Sequence, residues 1–140
     1  MGIGDIAAAC RAGSEAAMKV LIAEDSSTVR RLVAARLTAD GYDVIEAADG
    51  EAALALARQE HPDLLILDKV MPKLDGFEIV RALREDPATR AVPIVMLTDR
   101  TSEEDVLGGL HLGVEEYMPK PFSPHELSAR VRRTLNRAGS

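Results

Sequence analysis

The chain has 140 residues, enough for one domain with a sizeable core. Apolar residues make up 46% of it, yet Trp is absent and only two Phe and two Tyr occur, so the core must be aliphatic. A formal charge of −6 without a massed basic stripe argues against direct nucleic-acid binding, and a single cysteine, Cys10, excludes a disulfide framework or cysteine-rich metal site and fits a reducing cytoplasm.

Residues 1–17 read as an N-terminal extension, and the domain proper as 18–138. Ala7-Ala8-Ala9-Cys10 has the outline of a lipoprotein cleavage site but lacks a basic segment and an adequate apolar run before it. Met1-Gly2 is no myristoylation signal, because Ile6 stands where Ser or Thr is required. No apolar stretch approaches membrane-spanning length, so neither a membrane location nor a lipid anchor is expected.

From Met18 onward, strand and helix patterns alternate five times. Val20-Leu21-Ile22-Ala23 predicts a short buried strand. A helix from about Ser27 to Asp40 follows, with Val29, Leu32, Val33, Arg36 and Leu37 along one stripe and Gly41 as its stop. Val44-Ile45 forms a second strand, and Asp49 caps a helix carrying Ala52, Ala53, Leu56 and Ala57. Leu64-Leu65-Ile66-Leu67 is a strand apolar on both faces that ends abruptly in Asp68. Gly76 to about Glu85 predicts a helix with Phe77, Ile79, Val80 and Leu83 inward, and Ile94-Val95-Met96-Leu97 is the fourth strand. A weaker helix starts at Thr101 or Ser102 and is undermined by Gly108 and Gly109. Glu116-Tyr117-Met118 is the fifth strand; Ser123 and Glu126 then form a capping box for a last helix with Leu127, Val131 and Leu135. This alternation implies a parallel α/β sheet with helices on both faces and right-handed crossovers, in a single domain without a linker or repeat.

Polar residues gather where these strands end: Glu24 and Asp25 after the first, Asp68 after the third, Thr98 after the fourth, Lys120 after the fifth. In a doubly wound sheet such ends converge on one crevice. Three carboxylates packed together repel unless a cation shares the site. Oxygen donors without His or Cys favour Mg²⁺, which keeps several waters and accepts carboxylate and phosphate oxygens. Lys120 is suited to neutralise a transferred phosphoryl group, the Thr98 hydroxyl to hydrogen-bond another of its oxygens, and Asp68 to act as the nucleophile that forms an acyl phosphate. Positioning and charge stabilisation suffice for such a transfer, without a separate base.

Glu24-Asp25, Asp68 with Met71-Pro72 and Asp75-Gly76, Thr98, and Lys120-Pro121-Phe122, in this order and spacing, resemble the receiver domain of two-component response regulators from Lys19 to about Arg137. The resemblance implies a flavodoxin-like (βα)5 sheet of order 2-1-3-4-5 that takes a phosphoryl group from the phosphohistidine of a sensor histidine kinase or phosphotransfer protein. By position it implies Asp68 as phosphoacceptor, Asp25, Asp68 and the Val70 carbonyl as Mg²⁺ ligands, and Glu24 acting through a metal-bound water. It makes Thr98 and Tyr117 the switch pair. Such a domain is a signalling switch and not a metabolic enzyme; it catalyses only its own phosphorylation and slow dephosphorylation.

Two features depart from that pattern. Asp99 stands after Thr98, where the family usually has a small residue, and a carboxylate there adds bulk and repulsion beside the acceptor. Val70 and Arg100 match positions that tune hydrolysis; Val70 cannot orient water, and Arg100 is expected to pair with Asp99. The last helix resembles receivers of winged-helix transcription factors, which dimerise through the fourth helix, fifth strand and fifth helix. Glu116 with Arg130 or Arg137 would supply charged pairs of that interface. Val106, however, stands where a basic partner for Glu126 is expected. Three other readings fit less well. An aspartyl-phosphate hydrolase would carry an acid where Val70 stands, and a flavin-phosphate binder would be repelled by Glu24-Asp25. A degenerate receiver would have lost Asp68, Thr98 or Lys120. His61, His111 and His125 share no metal-ligand spacing and are expected on the surface.

Overall fold

A computed structural model describes residues 17–138 except 70, 72, 74 and 99–112. The elements run β1 (Lys19–Ala23), α1 (Ser27–Ala39), β2 (Asp43–Ala47), α2 (Gly50–Glu60), β3 (Leu64–Asp68), α3 (Gly76–Glu85), β4 (Ile94–Thr98), β5 (Glu116–Pro119) and α4 (Pro124–Ala138). The five strands form one parallel sheet in the order β2-β1-β3-β4-β5, the flavodoxin-like topology expected. The weak helix expected from Thr101 or Ser102 lies outside the described residues.

The sheet is covered on both faces, which is why its central strands read as uninterrupted apolar runs. Alternation along each strand divides the core in two. Leu21, Ala23, Leu65, Leu67, Ile94 and Met96 point to α2 and α3, where Ala53, Ala57, Ile79, Val80 and Leu83 meet them. Val20, Ile22, Leu64, Ile66, Val95, Leu97 and Met118 point to α1 and α4, where Val33, Leu37, Leu127, Val131 and Leu135 meet them.

Local signals fix the helix ends. The Ser26 hydroxyl caps α1 by accepting from Val29 N, and the Asp49 carboxylate caps α2 by accepting from Ala52 N. Gly41, just past α1, has φ +99, a left-handed conformation that a side chain would strain. Asp75 and Glu78 form a full capping box at α3, each side chain accepting from the other's backbone N–H. At α4 Ser123 accepts from Glu126 N at 3.0 Å, but the Glu126 carboxylate goes to Arg130 instead of back to the cap.

Two expectations need adjustment. Leu32, placed on the buried stripe of α1, is 67% exposed; Ala34 takes its place beside Val33 and Leu37. The stripe was centred one position away from the true contact line. His61 and His125 are exposed as expected, but His61 has a structural use, since it ends α2 in a left-handed conformation with φ 49. His111 lies outside the described residues.

Candidate functional site

The carboxyl ends of β1, β3, β4 and the chain after β5 meet at one edge of the sheet because the strands are parallel and in register. Ala23 pairs with Leu67, Asp68 with Leu97, and Thr98 with Pro119. Backbone bonds carry the alignment past the last strand residues: Lys69 N donates to Leu97 O at 2.9 Å and Lys120 N to Thr98 O at 2.7 Å. Residues 25, 68, 98 and 120 are therefore neighbours by construction.

Glu24, Asp25 and Asp68 form a three-carboxylate cluster in which one oxygen from each lies within 4.8 Å of the others. Glu24 and Asp68 are buried, whereas Asp25 faces solvent. The Lys120 ammonium sits between the two buried acids, 2.9 Å from Glu24 Oε1 and 3.2 Å from Asp68 Oδ2. Its bond to Asp68 is a hydrogen bond and its approach to Glu24 Oε1 an ion pair; among the described residues that buried oxygen has no hydrogen-bond donor. Glu24 Oε2 accepts from Ser26 N at 3.1 Å, tying the acid to the cap of α1. Burial alone would lower the Lys120 pKa, but the carboxylates of Glu24 and Asp68 outweigh it and the net displacement is upward.

The cluster gathers three carboxylates around the Lys120 ammonium. An all-oxygen donor set of three carboxylates suits a hard divalent cation. Thr98 is buried at the end of β4 with its backbone held to Lys120. The Lys69 Nζ lies 5.5 Å from the Phe77 ring centroid. Three residues expected to tune the chemistry, Val70, Asp99 and Arg100, lie outside the described residues, as does Val106.

Tyr117 is half-buried in β5 against the α2–α3 half of the core. Its carbonyl accepts from Arg130 Nη1 at 2.7 Å. The charged residues expected at an intermolecular contact pair within the chain. Glu116 Oε2 binds Arg130 Nη1 at 2.7 Å and Arg133 Nη2 at 2.8 Å, and Glu116 Oε1 binds Arg137 Nη2 at 3.1 Å. Glu126 binds Arg130 at 3.0 Å, one helical turn away. Arg133, absent from the expected set, completes the spacing Arg130, Arg133, Arg137 that puts three guanidiniums on one face of α4.

Two more features escaped the sequence. Arg84, half-buried, donates to the carbonyls of Arg90, Val92 and Gly113 at 2.8, 2.6 and 2.6 Å and binds Glu115 at 3.2 Å. Two of these carbonyls belong to the loop between α3 and β4 and the third to the segment before β5, and no local pattern announces their meeting. Beside Lys120 lies a groove of about 550 Å³, lined by Val29, Leu32, Val33, Phe122, Pro124 and Leu127 among others. A second groove, at the opposite end of the strands and lined by Met18, Pro62, Val92 and Leu135, is remote from the acids. Among the described residues no helix is long and apolar enough to cross a membrane.

Residues 20–132 match the family model of the response regulator receiver domain. The chain is 48% identical over 119 residues to the probable transcriptional regulator ycf27 of Porphyridium aerugineum, covering 85% of this chain and 48% of that protein. It is 46% identical over 120 residues to the alkaline phosphatase synthesis transcriptional regulatory protein PhoP of Bacillus subtilis, covering 86% of this chain and 49% of that protein. The chain thus spans about half the length of the curated relatives it matches. The chemotaxis response regulator CheY4 of Vibrio cholerae superposes with a TM-score of 0.81 at 39% identity, covering 84% of this chain and 98% of that one. With its strand order, acidic edge and matched sequence, the chain belongs to the response regulator receiver domain family and is a two-component signalling domain.

Proposed function

We propose that Asp68 accepts a phosphoryl group from a phosphohistidine of a sensor histidine kinase or phosphotransfer protein. The observation that carries this reading is the Lys120 ammonium bridging Glu24 Oε1 and Asp68 Oδ2 while Asp25 completes the acidic cluster. An Asp68 carboxylate oxygen attacks phosphorus, the N–P bond of the donor breaks, and an acyl phosphate forms. Hydrolysis reverses the state when water attacks phosphorus and the free carboxylate leaves with release of inorganic phosphate.

Glu24, Asp25, Asp68 and the carbonyl of residue 70 would hold Mg²⁺, which when bound offsets charge on the acids and on the transferred group. Lys120 holds the phosphoacceptor oriented and offers its ammonium to the developing charge. Thr98, at the adjacent strand end, hydrogen-bonds a phosphoryl oxygen and, with Tyr117, passes the change to β5 and α4. Asp99 and Arg100 adjust access to the acceptor and the lifetime of the bond. The groove between α1 and Phe122 opens beside Lys120, with Leu32 presented to solvent, and suits the apolar face of a helical phosphodonor. The domain works in the cytoplasm, and its α4 arginines with Glu116 form part of a face through which two copies pair when phosphorylated.

Acetyl phosphate with Mg²⁺ tests the reading. The protein should gain the mass of one phosphoryl group, and Asp68→Asn should gain none. Labelling that persists in Asp68→Asn would refute the assignment, and steady turnover of small phosphoesters would favour a hydrolase.

A further inference from the structure

Gly76 opens α3, and its backbone conformation is one that any residue adopts; what it lacks is room. A Cβ placed there would lie 2.9 Å from Lys69 Cα, 3.1 Å from Asp68 O and 3.1 Å from Lys69 O. All three are backbone atoms, so no rotamer change relieves the clash. The same residue donates its N–H to Lys69 O at 2.7 Å, closing the loop that carries residue 70. From the other side, Lys69 N donates to Leu97 O at 2.9 Å. The peptide after Asp68 is therefore gripped between β4 and the first turn of α3. Helix α3 cannot retreat freely, because Ile79, Val80 and Leu83 are fully buried and its first turn is locked by the Asp75–Glu78 capping box.

We infer that Gly76 is a positioning residue for Asp68: the bare backbone at the start of α3 presses on the 68–69 peptide and fixes the carboxylate against Glu24, Asp25 and Lys120. This rests on the phosphoacceptor reading of the site. With α3 held, a methyl group at residue 76 must push Lys69 away, stretching the Gly76–Lys69 bond and displacing the end of β3 by tenths of an ångström. Carboxylates outside that strand do not move with it, so the cation site opens.

The test compares Gly76→Ala with Gly41→Ala, whose φ of +99 strains a side chain in open space away from the acids. Urea melts give the stability of each, and calorimetric titration with MgCl₂ and acetyl phosphate labelling report the site. Gly76→Ala should weaken Mg²⁺ binding about tenfold or more, the scale of losses from groups that orient metal ligands. Gly41→Ala should lose stability but keep the affinity of the unaltered protein. Should Gly76→Ala not fold, Asp75→Ala decides, since releasing the cap loosens the same grip and should also weaken Mg²⁺ binding. Unchanged Mg²⁺ affinity and labelling in the folded Gly76→Ala, or in Asp75→Ala, would overturn the inference alone. If the unaltered protein neither bound Mg²⁺ nor took the label, the reading of the site and this inference would fall together.

Discussion

Replacing Asp68 by Asn should make the protein more stable in metal-free buffer, at the proposed site of phosphorylation. Asp68 faces two carboxylates with oxygens within 4.8 Å and one ammonium at 3.2 Å. At the effective dielectric of about 20 suited to protein sites, each repulsion costs about 3.5 kcal/mol and the attraction returns about 5 kcal/mol. These three contacts by themselves sum to a net repulsion of about 2 kcal/mol on the Asp68 charge. Asn keeps the volume and an oxygen for Lys120 but sheds the charge. Urea denaturation in EDTA should show Asp68→Asn more stable than the unaltered protein by about 2 kcal/mol, with an unchanged slope against denaturant. Mg²⁺ should reverse the order. At a hundred times its dissociation constant it stabilises a protein that binds it by about 2.7 kcal/mol, and the variant lacks most of that gain. If Asp68→Asn is less stable in EDTA, the carboxylates are not in the electrostatic conflict their spacing requires, and the reasoning fails.

Arg84→Lys should lower stability by about 2–3 kcal/mol in urea melts, because an ammonium cannot serve three carbonyls and Glu115 with the fork of a guanidinium. Leu37→Ala should cost about 2–5 kcal/mol, whereas Leu32→Ala should cost no more than about 0.5 kcal/mol. Leu32→Ala should instead slow phosphotransfer from a histidine kinase that serves the unaltered protein, while acetyl phosphate labelling stays the same. The pKa of Lys120 is raised, so its charged form favours the fold. That contribution is fully present below the ordinary lysine value of 10.5 and is lost as pH rises through the higher folded value. Thermal melts of Lys120→Met should lack this alkaline decline.

What the sequence disclosed was what local chemistry dictates. Doubly covered parallel strands must be apolar on both faces, so Val20–Ala23, Leu64–Leu67 and Ile94–Leu97 were plain, and a polar residue directly after each run marked the sheet edge. Asp49 announces a helix start because a short oxygen side chain serves the free N–H groups there; Ser26 and Asp75 do the same at α1 and α3, where the apolar spacing alone locates the helices. Leu32 misled because the apolar stripe of α1 is interrupted by arginines, so the pattern alone could not say whether Leu32 or Ala34 faced the sheet. Arg84 was illegible because its partners, Arg90, Val92, Gly113 and Glu115, converge only in the folded chain. The grip of Gly76 was half visible. Asp75-Gly76 stood out as a motif at the start of a helix, but the need for the glycine arises from the backbone of Lys69 against it and not from its own φ.

The acidic edge is sustainable because the sheet beneath it draws its stability elsewhere. Leu64, Leu65, Ile66 and Leu67 are fully buried, and each contributes on the order of 1.5–3 kcal/mol by leaving water. Against that, the about 2 kcal/mol of repulsion at Asp68 is modest. The four apolar side chains face the two halves of the core alternately, so β3 is held from both sides up to the residue that carries the charge. Its end is therefore held in place beside Glu24 and Asp25, with Lys120 between the two buried acids. A strand less completely covered would let the carboxylates part, and the charge density at this end of the sheet would fall.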